Sequence, residues 1–205
     1  MQQYENPSQQ RAGAEDTGLG LSSLTKYLLI VCAIAVAFFV VYKPVGQLGG
    51  NASTQVFTTT PALSASQIDT ILQAYKSPAQ GLGNSIYAQS LQTGVNDSFT
   101  LALFLQESSM GTMGVATVTH NVGNIRCSEG YTCYEGYRSY SSWADGFQDL
   151  DNLLVGLYKV QFKATTVQDI ITRYAPSNEN DTTAYVKHVQ TAMEQWSAGK
   201  TVVNW

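Results

Sequence analysis

From Ser98 to Ser108 the chain reads SFTLALFLQES, apolar on nearly every face of a helix. Such a helix has no solvated side, so other elements must surround it. That requirement constrains the architecture more than any other segment does. The remaining chain has to supply a shell, and at 205 residues with 44% hydrophobic and 13% charged side chains it has the length and composition for one sizeable domain plus an appendage.

Helix-start signals for the shell recur along the sequence. Ser66 with Asp69, Ser142 with Asp145 and Thr166 with Asp169 each fit a capping box ahead of an apolar period. After Ser142, the residues Trp143, Phe147, Leu150, Leu154 and Leu157 fall at spacings of four and three, one face of a helix that belongs to the core. Tyr185, Val189, Ala192 and Trp196 repeat the pattern after Asp181. A shorter helix is expected around Asn84 to Gln92. Only NIRCSEGYTCYEGYRSYSS reads as strand, two short runs about a glycine-containing turn, hence a small hairpin. The expected fold is mainly α, with one β-hairpin lobe inserted between helices.

Ahead of this domain stands YLLIVCAIAVAFFVVY, residues 27–42, uncharged and flanked by Lys26 and Lys43. A membrane span wants roughly 20 apolar residues, which this run approaches if the lysines snorkel. The expectation is a single transmembrane helix over 26–43 acting as an uncleaved anchor. A cleaved signal peptide, with Gly50 and Ala52 near the cut and a mature chain starting after residue 52, is the competing reading. On the anchor reading, residues 1–25 form a disordered cytoplasmic tail and 44–65, rich in Gly, Ser, Thr and Pro, a linker. The folded domain covers 66–197, and 198–205 is a C-terminal tail.

Charge and cysteines narrow the compartment and the partners. A formal charge of -4 with no basic block argues against a nucleic-acid surface. Cys127 and Cys133 enclose a short loop that a disulfide could staple, and such bonds persist outside the cytoplasm. Zinc is the alternative, but two thiolates without a second pair form an incomplete site. The domain is therefore expected on the extracytoplasmic side. His120 and His188 are far apart and no glycine-rich loop follows an apolar strand, so neither a metal nor a nucleotide cofactor is expected. The sequence sets no oligomeric state.

Glu107 closes the central helix. A carboxyl on so apolar a scaffold is partly desolvated, which favours its neutral form and raises its pKa. A protonated glutamic acid is a general acid; the plainer alternative is a solvated residue at a helix end.

The stretch SPAQGLGNSIYAQSLQTGVNDSFTLALFLQESSMGTMGVATVTHNVGNIRC resembles the bacterial glucosaminidase family of peptidoglycan hydrolases. YRSYSSWADGFQDLDNLL and RYAPSNENDTTAYVKHV are similar to that family's later segments in the same order, so the resemblance covers about Ser66 to Trp196. Its most specific part is the E-S-x-x-G…N-x-G-N-I-R set. The resemblance implies a lysozyme-like fold, peptidoglycan glycan strands as substrate, no cofactor, and Glu107 as the acid that protonates the glycosidic oxygen. Glycosidases commonly pair such an acid with a second carboxylate. Glu129 and Glu135 are the choices in the hairpin lobe, where members of the family carry a second acid. Glu135 is preferred, because Glu129 falls inside the loop that a disulfide would close.

Other residues are candidates for binding. Asn121 and Asn124 can donate and accept at once, which suits sugar hydroxyls and N-acetyl groups, although asparagines in turns also serve the backbone. Gly123 permits a backbone conformation closed to other residues. Tyr131, Tyr134, Tyr137 and Tyr140 crowd one hairpin, where some should face sugar rings. Tyr174 matches a tyrosine that faces the cleft in the family and is the first choice for a substrate contact; Tyr185 is the second. The overall expectation is a membrane-anchored, extracytoplasmic enzyme cleaving β-1,4 bonds of the amino-sugar backbone. Its rivals are a lytic transglycosylase, which needs no water-activating base, and a wall-binding module without turnover.

Overall fold

In a computed structural model, residues 54–205 are described, and they belong to one compact unit. Its elements in chain order are α1 (Ala65–Ala74), α2 (Gly83–Thr93), α3 (Asp97–Ser108), α4 (Ala116–Thr119), β1 (Cys133–Tyr134), β2 (Tyr137–Arg138), α5 (Trp143–Leu153), α6 (Val167–Tyr174) and α7 (Thr182–Ser197). α5 runs on without interruption into a π-helical segment, Leu154–Gln161.

α3 is the buried axis. Every residue from Asp97 to Phe104 is buried, and α7 packs along it, with α2 and α5 closing other sides. Phe104 meets the rings of Trp143 and Phe147, each at a centroid distance of 5.2 Å. The α7 stripe of Tyr185, Val189, Ala192 and Trp196 is buried against the same core. α3 starts on Asn96, whose side chain accepts from Ser98 N at 3.0 Å. It stops because Ser109, Met110 and Gly111 all take positive φ, with the Ser108 hydroxyl accepting from Gly111 N at 3.0 Å.

Ser142 and Thr166 cap α5 and α6 through Asp145 N and Asp169 N, each at 3.2 Å. α1 differs from expectation. Its capping box is Ser64 with Gln67, not Ser66 with Asp69. Asp69 is occupied elsewhere, accepting from Gly83 N at 2.8 Å at the start of α2, where a Cβ on residue 83 would overlap the α1 backbone. Along α5 the fully buried position after Leu154 is Tyr158, while Leu157 is half-buried. The π winding takes more residues per turn, so the stripe shifts by one.

Residues 44–65 were expected to be linker, yet Val56 and Leu63 are buried in the core. Val56 N bonds Thr165 O at 3.0 Å, and Asn96 N bonds Val56 O at 2.8 Å. The C-terminal residues also pack, with Val203 buried and its N–H donating to Tyr75 Oη at 2.8 Å.

The hairpin lobe turns on Glu135 and Gly136, both at positive φ, which matches the handedness of a tight two-residue hairpin turn. A disulfide joins Cys127 and Cys133, with Cα atoms 5.8 Å apart. Asp149 on α5 fastens the lobe to the helices by accepting from Arg138 Nη1 (2.7 Å), the Tyr140 hydroxyl (2.6 Å) and the Tyr131 hydroxyl (3.1 Å).

The membrane part of the expected fold is corrected. No helix among the described residues is long and apolar enough to cross a membrane. The longest single α-helix, α7, has 16 residues and exposes Lys187 and Glu194, and the continuous run of α5 into its π segment carries Asp145, Asp149, Asp151 and Lys159. The run at 26–43 lies outside the described residues. What the structure supports is a mainly helical domain with a two-stranded antiparallel hairpin. Single-pass attachment, a membrane partner and a membrane localisation find no support in it.

Candidate active site

The last turn of α3 leaves the core, and there Glu107 reaches the floor of a cleft of ≈ 540 Å³. The loop after α4 supplies Gly123, Asn124 and Arg126 to the walls, the hairpin supplies Tyr137, the π segment Tyr158, and the α6–α7 connection Glu179 and Asn180.

Glu107 is held at both oxygens. The Tyr185 hydroxyl donates to Oε1, and Asn124 Nδ2 donates to Oε2 at 3.1 Å and to the Glu107 carbonyl at 2.9 Å. Burial raises the Glu107 pKa above its ordinary value, and the two donors pull it partly back. The proton is thus held more tightly than on an exposed glutamate while the carboxyl stays fixed in direction. Tyr174 and Tyr185 are themselves pushed well above the ordinary tyrosine value by burial and then by the nearby Glu107 charge. Both remain neutral donors.

Tyr174 lines the cleft, with its hydroxyl committed to the Gly123 carbonyl. That approach explains the glycine, since a Cβ there would overlap the Tyr174 oxygen and lie 3.1 Å from Leu150 Cδ1. The left-handed residue of the loop is its neighbour Asn124, at φ 47°; Gly123 supplies space rather than conformational freedom. Asn124 Oδ1 is buried without a hydrogen-bond partner among the described residues.

Several sequence candidates do not line the cleft, Tyr185 among them, a buried residue whose hydroxyl is spent on Glu107. Asn121 is fully buried, and its amide is spent on the backbone: Oδ1 accepts from Ile125 N at 2.8 Å, and Nδ2 donates to the carbonyls of Ile125 and Arg138, both at 2.9 Å. It shapes the loop and leaves nothing for a sugar. Glu135 is exposed at the hairpin turn and is not among the lining residues; neither is Glu129. The carboxylate that does share the cleft with Glu107 is Glu179, which sequence reasoning missed because SNEND looks like an ordinary polar turn. Of the four hairpin tyrosines, Tyr137 lines the cleft, whereas Tyr131 and Tyr140 are tied to Asp149.

Among the described residues no group of three or more His, Cys, Asp or Glu could hold a metal ion. The arrangement offers one half-buried acid, its two fixed donors, aromatic walls and a second, exposed carboxylate. Residues 83–198 match the family model described as Glucosaminidase: Mannosyl-glycoprotein endo-beta-N-acetylglucosaminidase. No curated protein matches the chain.

Proposed function

The chain belongs to the glucosaminidase family, a family of glycoside-hydrolase-like enzymes, and from that premise we propose that it cleaves β-1,4 glycosidic bonds in the amino-sugar strands of peptidoglycan with Glu107 as general acid. The observation that carries this reading is the half-buried Glu107 carboxyl, with raised pKa and two fixed donors, lining the cleft. Glu107 gives its proton to the glycosidic oxygen as the bond from that oxygen to the anomeric carbon breaks, so the leaving sugar departs as a neutral alcohol. Asn124 and Tyr185 then stabilise the carboxylate that forms.

Glu179 supports hydrolysis, because it lines the same cleft and can orient or deprotonate the attacking water. Its position on an exposed loop also keeps the transglycosylase reading in play, in which the sugar's own hydroxyl attacks and Glu107 works alone. Sacculi digested with the purified protein and analysed by mass spectrometry distinguish them. New reducing ends are expected, anhydro ends would point to transglycosylation, and absence of products would leave only a binding module.

Glu107→Gln is expected to lower the rate by about 10²–10⁴ while leaving fold and glycan binding intact. Retention of wild-type turnover by that variant would remove Glu107 from the mechanism.

A further inference from the structure

The two arginines of the hairpin lobe are used differently. Arg138 is consumed internally: Nη1 pairs with Asp149 at 2.7 Å, Nη2 donates to Ser128 Oγ at 3.0 Å, and its guanidinium lies 3.6 Å from the Tyr131 ring centroid. Arg126 forms no ion pair among the described residues, although Glu107 and Glu179 line the same cleft. Its guanidinium instead lies 4.5 Å from the centroid of the Tyr137 ring, and both residues line the cleft. Stacking on an aromatic face sets the guanidinium plane and leaves its in-plane N–H donors for a bidentate acceptor.

Among the residues lining the cleft, Arg126 alone is cationic. A strand made only of N-acetylglucosamine is uncharged and would gain little from it. A carboxylate would gain two parallel charge-assisted hydrogen bonds. We propose that Arg126, seated on Tyr137, binds a carboxylate carried by the glycan strand and makes the cleft prefer carboxylate-bearing amino-sugar strands over neutral ones. Within the reading given under Proposed function, on which this inference rests, that carboxylate comes from one of two sources: the lactyl ether of a peptide-free muramyl residue, or the stem peptide attached to it.

The test uses the full chain carrying Glu107→Gln, so that ligands stay intact. Affinities are measured for three ligands of matched sugar number: an N-acetylglucosamine oligomer, a peptidoglycan strand stripped of peptide by an amidase, and a strand that keeps its peptides. The quantity read is the affinity for each carboxylate-bearing strand divided by that for the neutral oligomer. Arg126→Gln is expected to lower this ratio about fivefold, the scale of an exposed or partly exposed ion pair with good geometry. Arg126→Lys, which keeps the charge but not the planar fork, is expected to fall between. Added salt should reduce the ratio in the parent and hardly at all in Arg126→Gln.

A drop confined to the stripped strand assigns the lactyl carboxylate, and one confined to the peptide-bearing strand assigns the stem. An unchanged ratio overturns the inference, as does an equal loss for all three ligands, which would make Arg126 a support for Tyr137 only. Those results leave cleavage of sacculi by the wild-type protein standing. A parent that binds none of the three ligands, together with a wild type that releases nothing from sacculi, overturns this inference and the proposed function together.

Discussion

Replacing Asp151 by Asn should change how stability depends on pH. Asp151 is buried on α5; its Oδ1 accepts from the Thr100 hydroxyl at 3.1 Å and its Oδ2 from that of Thr93 at 3.2 Å. Burial lifts its pKa from 3.8 to about 6, the hydrogen bonds from Gln89, Thr100 and Thr93 oppose this, and the Asp97 charge adds to the rise. A pKa raised on folding means that the folded state binds the proton more tightly than the unfolded one. The associated stability is therefore complete below about pH 4 and is lost as pH rises through about 6. Moving the carboxyl from 3.8 to about 6 corresponds to roughly 3 kcal/mol, a sizeable part of the 5–15 kcal/mol typical of a whole domain.

Asn has nearly the same shape and does not titrate. The threonine hydroxyls can rotate to accept from its amide, so the substitution should cost little at high pH and most at low pH. Asp97 titrates in the same range, also raised to about 6 by burial, and is present in both proteins, so most of its own contribution cancels in the difference. Urea unfolding followed by tryptophan fluorescence at pH 4, 5, 6 and 7.5 measures the difference, with Trp196 fully buried as a reporter. The stability of Asp151→Asn relative to wild type should improve by about 2.4 kcal/mol between pH 4 and 7.5, with most of the change between pH 4 and 6. Parallel curves, or a variant that weakens as pH rises, would refute the reasoning.

Two further substitutions probe the cleft. Gly123→Ala inserts a methyl where the Tyr174 oxygen and Leu150 Cδ1 already sit, and should cost about 1–3 kcal/mol in thermal unfolding and lower activity. Gly156→Ala, with open space around its Cβ, should be neutral or stabilising in the same assay. Tyr185→Phe removes a donor that holds the Glu107 pKa down, so that pKa rises further. Since the acid must be protonated to act, the alkaline limb of the kcat/KM profile should move to higher pH, and a limb that stays in place would separate Tyr185 from the proton of Glu107.

Much of the helical frame was legible because its signals are local. Ser142, Thr166 and Asp181 announce helices whose caps need only the next three residues. The stripe from Trp143 to Leu154 follows from the same short-range periodicity. The misreadings lie where a distant partner decides. Asp69 satisfies both the pattern of a cap and the needs of Gly83 N fourteen residues on, and only the packing of α1 on α2 selects between them. The π segment places Tyr158 in the cleft wall, and nothing in LVGLYKVQ distinguishes its winding from that of an α-helix. Asn121 and Asn124 carry the same amide three residues apart; one is closed on its own loop and the other reaches Glu107, a difference set by the left-handed turn at residue 124.

Glu107 itself was legible as a carboxyl at the end of an apolar helix, but the sequence around it conveys only the force that raises its pKa. The opposing force comes from Asn124 and Tyr185, 17 and 78 residues further along the chain, which α4's loop and α7 bring to opposite oxygens. A buried carboxyl without those donors would be a poorly oriented acid that gives up its proton reluctantly and gains no stabilisation once charged. One with many more donors would be ionised before substrate arrived. Burial set against two hydrogen bonds leaves the pKa raised and the conjugate base accommodated. The helix must end there for this balance to exist, since one more α-helical turn in place of Ser109, Met110 and Gly111 would carry the chain on past the cleft and leave Gly111 N without the Ser108 hydroxyl that now receives it.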